Sequence, residues 1–192
     1  MSSTGIDKIL ILSEDRKKIK SVEDTIIRGL KHPHRMIESS LDDKSMQTVR
    51  QGDYGLLIIL SSLKDERSLR AFRFSVKHPT SSMILITDED EKADDRLKEP
   101  FLELGVVIIS SPVDKTMLTA SLKAADSAHI RLCRLNRKRE EEKLISRSKL
   151  ILMRTLSLTE DEAHKYIEKE AMSSGLTKAE VAYEIIRTYD YQ

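Results

Sequence analysis

Four runs of Ile, Leu and Val punctuate the first part of the chain: KILIL (8–12), YGLLIIL (54–60), SMILIT (82–87) and GVVIIS (105–110). They are continuous rather than alternating in polarity, the pattern of strands covered on both faces in a parallel sheet. A fifth and weaker run, HRMIES (34–39), follows the His32-Pro33 break. The polar segments between them, 15–29, 42–51, 65–77 and 93–103, have the length and charge of helices. Strands and helices in alternation predict an α/β domain with a five-stranded parallel sheet in flavodoxin-like order.

After Pro112 the pattern changes. From Lys115 to Arg154 there is no Gly or Pro, which predicts one long helix. Leu118, Leu122, Ala125, His129, Leu132 and Asn136 recur at alternating spacings of four and three, the seam of a coiled coil with Asn136 at an a position. Arg139 and Lys143 continue that register with charge, so the seam is short. The same spacing also fits a last helix lying on its own sheet and running out into solvent. A helix paired with a second copy through Leu122, Ala125, His129, Leu132 and Asn136 is the reading preferred at this point.

The remainder, 144–190, reads as three short helices. Thr159 with Glu162 and Thr177 with Glu180 each fit a capping box, in which hydroxyl and carboxylate satisfy each other's exposed backbone N–H groups. Ala163, Tyr166, Ile167 and Ala171 then share one face, and so do Val181, Ala182, Ile185, Ile186 and Tyr189. Gly175 supplies the left-handed turn between them. Leu144, Ile145, Leu152 and Met153 close a small core against those faces. The expected organisation is a domain over 1–117, a coiled-coil linker over 118–143 and a three-helix module over 144–192.

Composition changes this picture little. With 192 residues and 39% hydrophobic content, the chain has enough material for a buried core. A single cysteine, Cys133, excludes an internal disulfide and a cysteine-rich zinc site and suits a reducing cytoplasm. The start, MSSTGIDK, has no export signal, and GLLIIL is far too short to span a membrane, so the expected location is the cytoplasm. The formal charge of +1 hides a local bias. Between Arg131 and Arg154 nine basic residues face three acidic ones, a local net of +6, the footprint expected for a polyanion or of a solvated helix.

Parallel sheets of this kind place their site at the carboxyl ends of the strands. Over residues 7–125 those positions resemble a response-regulator receiver domain of two-component systems. In that family an acidic pair and an Asp hold magnesium and take a phosphoryl group, assisted by a Thr or Ser and a Lys. Here Glu14 and Asp15 keep the acids and Thr87 the hydroxyl, but Leu60 stands at the phosphoacceptor position and Ser111 at that of the lysine. Leu has no nucleophilic oxygen and Ser no cation, so the resemblance implies a pseudo-receiver with a degenerate phosphorylation site. No other catalytic arrangement competes. The histidines at 32, 34, 78, 129 and 164 lack metal-ligand spacing, and DEDEKADD (88–95) reads as a solvated acidic loop. No enzyme activity, cofactor or metal is expected.

The segment SKLILMRTLSLTEDEAHKYIEKEAM, followed by VAYEII, resembles the ANTAR domain, the RNA-binding module of transcription antiterminators. Lys149, Leu152-Met153, Leu158-Thr159-Glu160, Ala163, Ala171-Met172 and Val181-Ala182 carry the likeness. The family usually has Ala where this chain has Ser148, often Gly where it has Leu150, and frequently basic residues where it has Ser173-Ser174-Gly175. The resemblance implies a regulator that binds paired hairpins in nascent leader RNA and prevents a terminator from forming. Arg147, Lys149, Arg154, Lys165, Lys169 and Lys178 are the candidates for the RNA face. The implied partners are leader RNA, a second copy of the chain, and a regulatory protein or ligand at the pseudo-receiver. Two rivals stand beside this reading: a protein-interaction adaptor and a helix-turn-helix DNA-binding regulator.

Overall fold

The computed structural model describes residues 5–88 and 94–189. Most of the acidic stretch 88–95 and the first four residues lie outside them. The chain forms two compact units, residues 1–133 and 134–192.

The first unit alternates β1 (Lys8–Ser13), α1 (Arg16–Gly29), β2 (Arg35–Ser39), α2 (Asp43–Gln51), β3 (Leu56–Leu60), α3 (Glu66–Ser75), β4 (Ser82–Thr87), α4 (Asp95–Leu102) and β5 (Val107–Ser110). All strands are parallel in the order β2-β1-β3-β4-β5, the doubly wound arrangement that the runs predict. Successive side chains point to opposite faces, so each apolar run feeds two cores. Ile9, Ile11, Leu56, Ile58, Leu60, Ile84 and Ile86 pack with Ile19, Val22 and Ile26 of α1. Leu10, Leu12, Leu57, Ile59 and Leu85 pack with Met46, Val49, Phe72 and Phe101 of α2, α3 and α4.

The long helix is α5, Lys115–Leu156, unbroken over 42 residues. Its first stretch is core: Leu118, Leu122 and Ala125 belong to the same cluster as α1. Leu122 sits where a Cβ on Gly29 would lie 2.7 Å from its Cδ1, so the missing side chain of Gly29 is what admits α5 so closely. His129 is buried, and its Nδ1–H donates to the Thr80 carbonyl at 2.7 Å. Asp126 accepts from the Ile6 N–H at 2.8 Å and pairs with His32 at 2.9 Å. The expected seam is therefore corrected at Leu122, Ala125 and His129: these side chains cover their own domain and have no face left for a second copy. Leu132, half-buried, and Asn136, exposed, lie beyond that packing.

The second unit holds the end of α5 with α6 (Glu160–Ser174) and α7 (Lys178–Tyr189). The first of the three short helices expected over 144–190 is the continuation of α5. Ile151, Leu152, Ala163, Ile167, Val181 and Ile185 form the core. Both capping boxes are made. The Thr159 and Thr177 N–H groups each donate at 2.8 Å to Glu162 and Glu180, whose own N–H groups donate back to the threonine hydroxyls. These bonds hold both carboxyls below their ordinary range, the backbone N–H first and the hydroxyl second. Gly175 closes α6 at φ +69°, the left-handed conformation a glycine adopts without strain.

Candidate nucleic-acid interface and the receiver-like strand ends

At the carboxyl ends of β1 and β3 the side chains are occupied with one another. Leu60 is buried and turned into the α1 face of the sheet. Ser13, level with it across the ladder, donates to the Leu60 carbonyl at 3.3 Å. Asp15 caps α1, accepting from the Lys17 N–H at 2.8 Å. Glu14 is held by Arg67 at 2.8 Å, and the same guanidinium donates to the Leu41 carbonyl and to Asp65. Burial works against ionisation of Asp65, but hydrogen bonds from Arg67 and the Ser61 hydroxyl hold its carboxyl below the ordinary range. Thr87 is buried at the end of β4, and its carbonyl accepts from the Ser111 N–H at 2.7 Å.

These residues do not fit the magnesium of a receiver domain. The one acid at the end of β1 serves as a helix cap, the other is neutralised by Arg67, and Leu60 offers no donor oxygen. A recess of about 270 Å³ beside them is lined by Ser13, Glu14, Arg16, Ile19, Glu38, Ser39 and Ser40, and Leu60, Thr87 and Ser111 are not part of its lining. Among the described residues no three His, Cys, Asp or Glu side chains gather as metal ligands. No described helix is long and apolar enough to cross a membrane.

In the second unit the candidate cations divide into two groups. Lys149 is mostly covered, at 20% side-chain exposure, and its ammonium donates to Glu160 at 2.6 Å, tying α5 to the first turn of α6. Lys178 likewise pairs with Glu168, tying α7 to α6. Each lysine holds its carboxylate below the ordinary range, chiefly by the hydrogen bond. Arg154, Lys165 and Lys169 are exposed, and Lys165 lies close enough to Glu162 to help hold that carboxyl below its ordinary range. Arg147 is exposed on α5, seven residues before Arg154, so the two share a face.

Residues 134–186 match the family model of the ANTAR domain. The second unit carries an ANTAR domain. For the first unit the likeness is one of fold. A signal receiver domain of an HD domain-containing protein from Pseudomonas fluorescens superposes with a TM-score of 0.52 at 18% identity, covering 64% of this chain and 97% of that one. A pilus assembly-related protein from Burkholderia pseudomallei does so with 0.52 at 18%, covering 64% and 90%. No curated protein matches the chain in sequence. The chain thus joins a receiver-like domain to an ANTAR domain.

Inside the ANTAR domain Ser148 is fully buried, and its hydroxyl donates to the Ile145 carbonyl at 2.9 Å, so the added oxygen is satisfied within α5. Leu150 points outward at 65% exposure. Sequence reasoning missed Arg67, Glu160 and Glu168, the ion-pair partners that decide which charges stand open. The Glu14–Arg67 pair spans 53 residues and Lys149–Glu160 spans 11, separations with no local periodicity to reveal them.

Proposed function

We propose that this protein is a transcription antitermination regulator whose ANTAR domain binds paired hairpins in nascent leader RNA and prevents an overlapping terminator from forming. The carrying observation is the ANTAR match over residues 134–186. Support comes from the concentration of positive charge between Arg131 and Arg154, with Arg147 and Arg154 exposed on one face of α5. Bases splayed from a hairpin loop are open to side chains, whereas a paired A-form stem hides its major groove. Two copies joined through the part of α5 around Leu132 and Asn136 would hold two hairpins at once and gain affinity through effective concentration. A regulator acting in this way on nascent transcripts would work in the cytoplasm.

Hairpin affinity should fall linearly with salt on logarithmic axes. Arg154→Ala should flatten that slope by about 0.7–0.9, the share of one phosphate contact, with the melting curve unchanged. Filter binding at several salt concentrations reads both. A wild type that binds no hairpin would leave the adaptor as the better account, and preference for duplex DNA would favour the DNA-binding one.

The receiver-like domain, in this reading, is controlled without phosphorylation, through a protein or ligand that binds it. Incubation with a small phosphodonor and magnesium should leave the intact mass of the protein unchanged. A stoichiometric phosphoryl adduct on residues 1–117 would overturn this part of the proposal.

A further inference from the structure

One side chain ties together three connections at the carboxyl end of the sheet. Arg67 stands in the first turn of α3. Its Nη1 donates to Glu14, between β1 and α1, at 2.8 Å and to the Leu41 carbonyl, between β2 and α2, at 3.2 Å. Its Nε and Nη2 grip the two oxygens of Asp65, the cap of α3, at 3.1 and 3.0 Å. A planar guanidinium makes this bidentate fork with a carboxylate, and a lysine cannot. The Ser61 hydroxyl fixes Asp65 further, at 2.9 Å. Two carboxylates and a carbonyl thus converge on one positive charge, and that charge belongs to the chain itself. Across the sheet end Lys18 of α1 pairs in the same manner with Asp88, just past β4.

We infer that Arg67 is the resident cation of the receiver-like domain: it fills, from within the chain, the place between Glu14 and Asp65 that a divalent cation would otherwise take. Carboxylates, a carbonyl and a hydroxyl are hard oxygen donors, the kind magnesium binds with water completing its shell. A guanidinium uses the same acceptors, keeps its charge at every physiological pH and carries its five donors in a fixed plane. Removing it would leave two carboxylates facing one vacated place, and like charges so disposed draw in a counterion. The consequence is a permanent clamp. The loops after β1, β2 and β3 keep one arrangement whatever the magnesium concentration, so control of this domain acts elsewhere than through a bound ion. The inference stands apart from the RNA-binding reading and survives its failure.

The test follows the melting transition of the receiver-like domain in the full chain. Magnesium chloride is raised through the millimolar range, beside sodium chloride of equal ionic strength. The wild type should melt at the same temperature in both salts. Arg67→Ala should melt about 3–6 °C lower, the scale of one partly exposed charged cluster in a domain of this size. Magnesium should then restore most of that loss with a saturable dependence, and sodium should not. Arg67→Gln, which keeps a polar side chain without the charge, is read in the same way should the alanine variant fail to fold. Adding Asp65→Asn to either variant should abolish the response to magnesium. An Arg67 variant that melts like the wild type would show that the guanidinium holds nothing together. A variant that loses stability but answers magnesium no better than sodium would overturn the assignment of a cation's place. A wild type that already responds to magnesium as the variants do would overturn it as well.

Discussion

Replacing Ala163 with glutamate is expected to unfold the ANTAR domain and abolish its binding to RNA. Ala163 is fully buried on the inner face of α6, among Ile151, Leu152, Ile167, Val181 and Ile185. A carboxylate there would have no cation or donor within the cluster, and an unpaired charge in an apolar core costs about 4 kcal/mol or more. A module this small has little more than that to lose, since whole domains are stable by only about 5–15 kcal/mol. A melt of the full chain should lose the transition of the ANTAR domain and keep that of the receiver-like domain. An unaltered melt would mean that α6 does not pack through Ala163.

The second large effect is expected from Leu122→Asp, which should unfold the receiver-like domain. As a seam residue of a coiled coil Leu122 would matter only to a dimer. In the structure it is fully buried against α1, over the space that Gly29 leaves open. Truncating such a leucine costs about 2–5 kcal/mol, and the buried carboxylate adds its own desolvation. Leu132→Asp is the informative contrast. Leu132 lies outside the core clusters, so its melt should stay near that of the wild type, and sedimentation should show monomers if two copies meet around Leu132 and Asn136. If Leu122→Asp left the melt intact and only dissociated a dimer, the placement of α5 on its own sheet would be wrong.

The sequence by itself determined the elements and most of their ends. The apolar runs of β1, β3 and β4 became buried parallel strands because a run continuous over both faces has no stable place except between two layers of helices, and the less covered β2 and β5 form the edges. Thr159 with Glu162, Thr177 with Glu180, and Gly175 marked the limits of α6 and α7, since capping is chemistry between residues three apart and needs no distant partner. The lack of a nucleophilic oxygen at position 60 was also legible, because a leucine side chain contains none whatever surrounds it. Tertiary structure decided what covers each apolar stripe and which charges stand open. The repeat of Leu118, Leu122, Ala125 and His129 is satisfied equally by a partner helix or by the chain's own sheet, and a period carries no information about what lies opposite it. In the same way Lys149 and Lys165 look alike along the chain. Only folding brings Glu160 to within 2.6 Å of Lys149 and leaves Lys165 facing water, because an ion pair is a matter of distance in space and not of position in sequence.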